Sequence, residues 1–465
     1  MHAALDDIEA TTVSENAETK RVPPAGWWWA SFDWARGPYY YVVALYVFSA
    51  YFAQSVVGSG AEGQTLFSAM VTMAGLIMAV VAPILGSYMD RGGRKKPVLG
   101  IVMLTMAFAA ITMSLVAPDA EYAVPVLMAL MILGGCCYSI SELLHNAMLP
   151  GMGSVRQVPA ISGLGLSAGA LAAVVILTAI FWFATFPPGD LTSADISRYS
   201  ALVCGLWLLV FIGPFFLFTP DVPGAAGSWR GVPVIAKGAR PLRALIDLFR
   251  DYRQIMRFLI ARMVFMDGLA AMLSVLAVYV SGVLGWSGPE LALLGIISTI
   301  SAVLGGFLGG FLDRTFGPRK AIITELICIT AIFIFQLGIF PTAILFGLVP
   351  VDGVADRAIF PRATDIIYIV TFVLIAALII AAFSSSRSLL VTLSPKEKIG
   401  QFFGIFAMTS TITVWVGPAL VALTTWLSDN QRIGFGSITI LLVVGSILMT
   451  RVKPEQSAGA VQKRP

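Results

Sequence analysis

Polar and apolar positions along this chain fall in long blocks rather than in the short alternations of a soluble fold. Marking every Asp, Glu, Lys and Arg leaves twelve charge-free intervals of at least 18 residues, beginning at Gly37, Gly63, Pro97, Tyr122, Gln157, Tyr199, Gly268, Leu291, Leu326, Ile366, Ile399 and Ile433. A helix needs about 20 apolar residues to cross a hydrocarbon core, and only helices and closed barrels satisfy their backbone hydrogen bonds in lipid. Barrel strands need about 10 residues, so the blocks predict an all-α integral membrane fold of twelve transmembrane helices.

The longest polar, basic interruption, Asp221 to Arg257, follows the sixth block and divides the chain six plus six. The expected organisation is a tail over 1–30, a six-helix bundle over 31–220, a linker over 221–256, a second six-helix bundle over 257–452 and a tail over 453–465. Within the linker, Leu242, Leu245, Ile246, Phe249 and Met256 recur near helical spacing between Arg243, Arg250 and Arg253. That pattern reads as an amphipathic helix on the membrane surface, with a mobile basic linker as the alternative. Trp27, Trp28 and Trp29 read as an interfacial aromatic anchor.

Composition agrees: of 465 residues, 58% are hydrophobic and 12% charged, with a mean hydropathy of +0.86. That excludes a soluble globular protein. If the spans alternate, 23 of the 30 Lys and Arg fall on the side of the N-terminus and four opposite (Arg198, Arg357, Arg362, Arg432), leaving three within spans. The bias places both termini in the cytoplasm, and it accounts for the net charge of +4 without any affinity for nucleic acid. Met1 to Pro24 lacks the apolar core of a signal peptide and reads as a disordered tail.

Residue usage removes several chemistries. Cys136, Cys137, Cys204 and Cys328 lie in apolar spans as small hydrophobes, and His2 and His145 are the only histidines, so no metal site or histidine-based triad is expected. No Lys follows a Gly, so the GxxxxGK[ST] loop for ATP is absent. No cofactor and no enzymatic activity are expected.

The halves echo each other. Gly86, Asp90, Arg91, Gly93, Arg94 and Lys95 follow span 2, and Gly309, Asp313, Arg314, Gly317, Arg319 and Lys320 follow span 8. Ser141, Glu142 and Pro150 at span 4 match Ser386, Arg387 and Pro395 at span 10 with a constant offset of 245. Internal repetition of this kind is a property of membrane transporters.

The Gly86-x-x-x-Asp90-Arg91-x-Gly93-Arg94-Lys95 stretch resembles the signature between helices 2 and 3 of the major facilitator superfamily, with a degraded copy at Gly309 to Lys320. Phe32-Asp33-Trp34-Ala35, Asn146 to Pro150, Ser162 to Gly165, Asp267-Gly268, Ser386 to Leu389, Phe402 to Gly404 and Gly417-Pro418 resemble the autophagy-linked vacuolar amino-acid effluxer family, which has many bacterial members. Arg36 departs from that family, which usually has Asn there. The resemblance implies two pseudo-symmetric six-helix bundles in the major facilitator fold, a central cavity lined by helices 1, 4, 7 and 10, and a bacterial inner-membrane location. It also implies an amino acid or related metabolite as the small-molecule substrate, and a cytoplasmic gate built from the Asp-Arg loops: Gly86, Asp90, Arg91, Arg94, Asp313, Arg314 and Arg319.

Charges inside spans cost roughly 2.5 to 3.5 kcal/mol on insertion scales and are therefore paired or functional. Those of helices 1, 4, 7 and 10 are Asp33, Arg36, Glu142, His145, Arg262, Asp267 and Arg387, the candidate substrate and proton pathway. Glu142 and Arg387 each precede a proline by eight residues, about 12 Å along a helix. They are expected at matching depth, as an ion pair across the cavity that breaks when the halves rock apart. Asp33 and Arg36 are three apart and can pair locally. Asp267, the deepest acid, is the first candidate to carry a proton, with Glu142 second; a permanent salt bridge at Asp267 is the alternative. Glu325 and Asp365 sit at span ends and are expected at the interface. Glycines 163, 165 and 169 in helix 5 and 400, 404 and 417 in helix 11 serve close packing or sliding.

The expected activity is secondary transport of a small solute by alternating access, coupled to protons. Export of drug-like or lipidic solutes is the alternative, for which Tyr39, Tyr40, Tyr41 and Phe52 supply aromatic lining. A non-transporting sensor would need a cytoplasmic signalling domain, which a loop near 35 residues does not hold.

Overall fold

A computed structural model describes residues 22–90, 93–154, 157–221, 251–351, 353, 359–395, 402, 405–406, 409 and 412–453. Arg91, the Asp90 side chain, the linker positions 222–250, Gly400 and Gly404 lie outside the described residues. Ten helices are long and apolar enough to cross a membrane. They are α2 (Gly60–Asp90), α3 (Lys95–Leu115), α4 (Ala123–Asn146), α5 (Val158–Thr185), α6 (Ser193–Phe218), α7 (Arg253–Leu284), α8 (Gly288–Phe316), α9 (Pro318–Leu337), α10 (Ala363–Leu393) and α12 (Gln431–Thr450). Two more spans complete the twelve: α1 (Pro24–Pro38), which runs on through π-helical turns at Tyr39–Tyr46 and Phe52–Val56, and α11, described as a regular helix over Val416–Ser428. A two-stranded hairpin, β1 (Ala343–Ile344) and β2 (Val349–Pro350), connects α9 to α10.

The break in α1 has a local cause. Pro38 lacks an N–H, so the Trp34 carbonyl loses its partner four residues on; the Trp207 indole of α6 donates to it instead, at 3.0 Å. Beyond that point the helix widens into the π turns, a form that occurs mostly at functional sites.

Helix pairing repeats between the halves. In the first half α1 packs on α5, α2 on α4, and α3 on both α4 and α6; in the second, α7 packs on α11, α8 on α10, and α9 on both α10 and α12. Across the halves α2 meets α11 and α5 meets α8, the same pair shifted by six. Small residues set these approaches: a Cβ on Gly37 would lie 2.3 Å from the Gly169 carbonyl oxygen, and one on Gly305 2.3 Å from that of Ala377. Gly165, likewise tight against Asp33 and Trp29, packs, while a Cβ on Gly163 would meet nothing within 4 Å.

Several cations near the helix ends cap neighbouring helices. At the termini-bearing end, Lys96 donates to the carbonyls of Phe216 and Thr219 at the end of α6, and Arg319 to that of Thr450 at the end of α12. At the other end, Arg198 of α6 donates to Ser114 of α3, and Arg432 of α12 to Leu337 and Ile339 beyond α9. Each cation thus satisfies helix-terminal carbonyls that lack an intrahelical donor. Three of the four basic residues that break the charge bias, Arg198, Arg362 and Arg432, are fixed in this manner, since Arg362 holds Asp365 and the Leu284 carbonyl.

Two expectations fail here. Glu325 and Asp365 are both 0% exposed rather than interfacial. Asp365 is ion-paired with Arg362 at 2.9 Å and accepts from the Trp286 indole at 2.9 Å, which pulls it into the bundle. Trp29 is 2% exposed, so only Trp27 and Trp28 of the aromatic triplet face outward. It is buried because its ring stacks on His145 of α4, with centroids 3.9 Å apart.

Candidate functional site

Between the two halves lies a cavity of about 670 Å³. Its wall comes from the π extension of α1 and from α2, α4, α7, α10 and the α11 region, so helices 2 and 11 join the four helices that the resemblance implies. The α4 contribution is one stripe, Met131, Gly135, Tyr138, Glu142 and Asn146, spaced as successive turns of one helix face.

Glu142 and Arg387 both line this cavity, one from each half, and both are exposed within it. Among the described residues no ion pair joins them, so the cavity stands open between opposite charges. Asp33, Arg36, His145, Arg262 and Asp267 are not among its lining residues. Three of those five form a buried block behind the α1–α4 wall. Arg36 donates to Asp33 at 2.8 Å and to the Ser141 hydroxyl at 3.4 Å, while its guanidinium carbon lies 4.5 Å from the Tyr138 ring centre. Tyr138 stacks in turn on Tyr40, centroids 4.9 Å apart and 14° from parallel, and both line the cavity. A cation behind a stacked tyrosine pair is a favourable arrangement for the ring quadrupole. His145 is sandwiched between Trp29 and Phe32; its Nε2 donates to the Trp29 carbonyl at 3.0 Å while the Trp29 indole donates back to the His145 carbonyl at 3.1 Å. This reciprocal bond locks α1 to α4.

In the second half, Arg262 donates to the Phe406 carbonyl at 3.1 Å and to the Thr409 hydroxyl at 3.3 Å, with its guanidinium 3.5 Å from the Phe406 ring centre. Asp267 is 4% exposed, hydrogen-bonds the Thr413 side chain and lies one turn from Ala270, which lines the cavity. Among the described residues no ion pair within 4 Å involves Asp267, although the Arg262 guanidinium of the same helix acts on it electrostatically. Of the gate residues, a Cβ on Gly86 would meet nothing within 4 Å, and Arg319 is engaged with α12 of its own half.

The cavity is closed at the end away from the termini. There Gln64 of α2 donates to the Thr425 hydroxyl (2.8 Å) and the Gln431 carbonyl (3.0 Å), and the Gln431 side chain returns a 3.5 Å bond to Gln64. Sequence reading missed this seal and the lining residues Tyr138, Asn146 and Ser274, because it searched for charge. The helical stripe on α4 was the available signal for Tyr138 and Asn146; nothing local marked Gln64 or Gln431.

The family described as "Vacuole effluxer Atg22 like" matches residues 64–462. An uncharacterized MFS-type transporter of Bacillus subtilis, YxiO, is 21% identical over 442 residues, covering 94% of this chain and 96% of that protein. Autophagy-related protein 22 of Coccidioides immitis is 26% identical over 314 residues, 64% of this chain and 49% of the fungal protein, so the chain matches about half of that relative's length. Among solved structures, a D-xylose-proton symporter aligns with a TM-score of 0.64 at 14% identity, covering 93% of this chain and 98% of the other. The inward open conformation of the E. coli xylose transporter XylE aligns at 0.59, 14% identity, over 92% and 94%. At such identity the likeness establishes the architecture alone, the major facilitator fold.

Proposed function

The chain belongs to the Atg22-like vacuole effluxer family and is a transporter of the major facilitator type; on that premise we propose that it carries a small zwitterionic solute, an amino acid or a close relative, by proton-coupled alternating access. The observation that carries this reading is the cavity between the halves, which offers Glu142 from one side and Arg387 from the other. An ammonium and a carboxylate on one small solute match those two charges, and opposite charge on the two halves lets the solute draw them together. The tyrosines, Phe67 and the methionines Met70, Met78 and Met131 leave room for an apolar side chain. The same lining supports a second reading, export of larger amphipathic solutes.

Asp267 is the proposed proton carrier. It is buried in α7 one turn from the cavity and free of an ion pair among the described residues, the situation in which an intramembrane acid is functional. We place both termini in the cytoplasm, so the cavity faces inward, and assign Gly86, Asp90, Arg91, Arg94, Asp313, Arg314 and Arg319 to the gate that closes that mouth. The test is pH-gradient-driven flux of a labelled amino-acid panel in proteoliposomes. Wild-type accumulation that Asp267→Asn loses while it still exchanges solute supports the reading. An Asp267→Asn protein that still accumulates against the gradient removes the carrier role, and no flux of any amino acid removes the substrate class.

A further inference from the structure

Glu325 lies two turns into α9, outside the central cavity, and is completely buried. Its Oε1 accepts a hydrogen bond from the Ser385 hydroxyl of α10 at 3.1 Å, and its Oε2 has no hydrogen-bond partner among the described residues. The helices packed on α9 are α8, α10 and α12. From α8 comes Asp313, a like charge that acts on Glu325 and whose own Oδ1 is buried without a hydrogen-bond partner among the described residues; Arg314 beside it is exposed. From α10 come Ser385 and Ser386, the latter turned back to the Ala382 carbonyl, while Arg387 lines the cavity. The Ile438–Thr450 part of α12 has no titratable side chain, and Arg432 at its far start is engaged with the carbonyls beyond α9. Arg319, on α9 itself, is bonded to Thr450. Among the described residues no ion pair within 4 Å reaches Glu325.

A fully buried carboxylate anion with one hydroxyl donor and a like-charged neighbour is among the least favourable groups a bundle can hold. A proton on Oε2 removes the charge and turns the orphaned acceptor into a donor. We infer that Glu325, with Ser385 and Asp313, forms a second proton-binding site, separate from the cavity and from Asp267, placed beside the acid of the α8–α9 loop motif. The step is the addition of one proton to the Glu325 carboxylate to give the acid, with no electron transferred. Its position near Asp313 connects proton binding to the termini-bearing end of the molecule, which the central cavity alone does not do.

Infrared difference spectroscopy on the full-length protein in proteoliposomes, stepped from neutral to alkaline pH, tests this directly. A protonated-carboxyl C=O band at neutral pH, lost in Glu325→Gln and kept in Asp267→Asn, is the expected result. Absence of that band in the wild type, or its undiminished persistence in a Glu325→Gln, Asp267→Asn double variant, overturns the site. Should Glu325→Gln fold poorly, Glu325→Asp must shift the band in frequency, and an unshifted band overturns the assignment equally. Retention of the band in Asp267→Asn also keeps this test independent of the proposed role of Asp267.

Discussion

The two ends of this transporter are built by different means. At the end away from the termini the halves are joined by side chains: Gln64, Thr425 and Gln431 form a buried hydrogen-bonded cluster, and Gly60, Gly282 and Gly434 crowd round it. A Cβ on Gly282 would lie 2.2 Å from Gln431 Oε1, and one on Gly434 1.8 Å from Thr425 Oγ1. At the opposite end the described polar contacts stay within a half, as with Lys96 on α6 and Arg319 on α12, and a Cβ on Gly86, Gly306 or Gly310 would meet nothing within 4 Å. The difference teaches how a sealed end can also reopen. Neutral amide bonds are worth only about 0.5–1.5 kcal/mol each in net terms, so the seal is specific without being permanent, whereas the caps that hold each half rigid are charge-assisted.

The comparison can be broken first at the seal. Gly282→Leu forces a side chain into the Gln431 amide, and overpacking of this kind costs about 1–3 kcal/mol. That is enough to move a two-state equilibrium by roughly 5- to 150-fold. Spin labels on the exposed positions Glu62 and Asp429, in a cysteine-free background, should report a longer distance at this end; an unchanged distance distribution would deny the cluster its sealing role.

Next in size is the charge pair across the cavity. Glu142→Gln and Arg387→Gln should each weaken solute binding by roughly 10- to 150-fold, the value of about 1.5–3 kcal/mol for a hydrogen bond to a charged group. Equilibrium binding of the transported solute measures this. The exchanged double variant, Glu142→Arg with Arg387→Glu, should recover part of what either exchange alone loses; no recovery would separate the two residues.

Gln64→Leu should have a smaller effect at the seal than Gly282→Leu. It removes the Gln64 hydrogen bonds, about 0.5–1.5 kcal/mol each in net terms, while the Thr425 hydroxyl keeps its bond to the Val421 carbonyl; it inserts no clash, and the same spin-label pair reads it. The smallest change is expected within a half. Trp207→Phe removes the indole donor to the Trp34 carbonyl and should lower the thermal unfolding temperature by the equivalent of about 1 kcal/mol. It should leave the Glu62–Asp429 distance as in the wild type, because α6 and α1 belong to the same bundle.

Several parts of the site were legible from the chain alone. Glu142 and Arg387 share an offset from a proline in repeated helices, and both line the cavity, but the ion pair expected between them is not present among the described residues. Asp33 and Arg36 were legible as a local pair because three residues of helix bring them together, and the 2.8 Å bond follows. Proximity to a span end does not fix exposure, as the fully buried Glu325 and Asp365 show. Whether such a residue faces lipid headgroups or a neighbouring helix depends on rotation about the helix axis, which a charge-free interval does not record.

Sequence by itself determined that the chain spans a membrane, how many times it does so and where the halves repeat. Each of those is a property of a segment of about 20 residues facing one physical demand, that no backbone polar group be left unpaired in lipid. Tertiary structure decided which charges meet, which end is sealed and which acid is stranded. Gln64 and Thr425 are 361 residues apart in the chain, and what unites them is the close approach of α2 to α11 and α12, set by glycines whose missing side chains mean nothing until the opposing helix is in place.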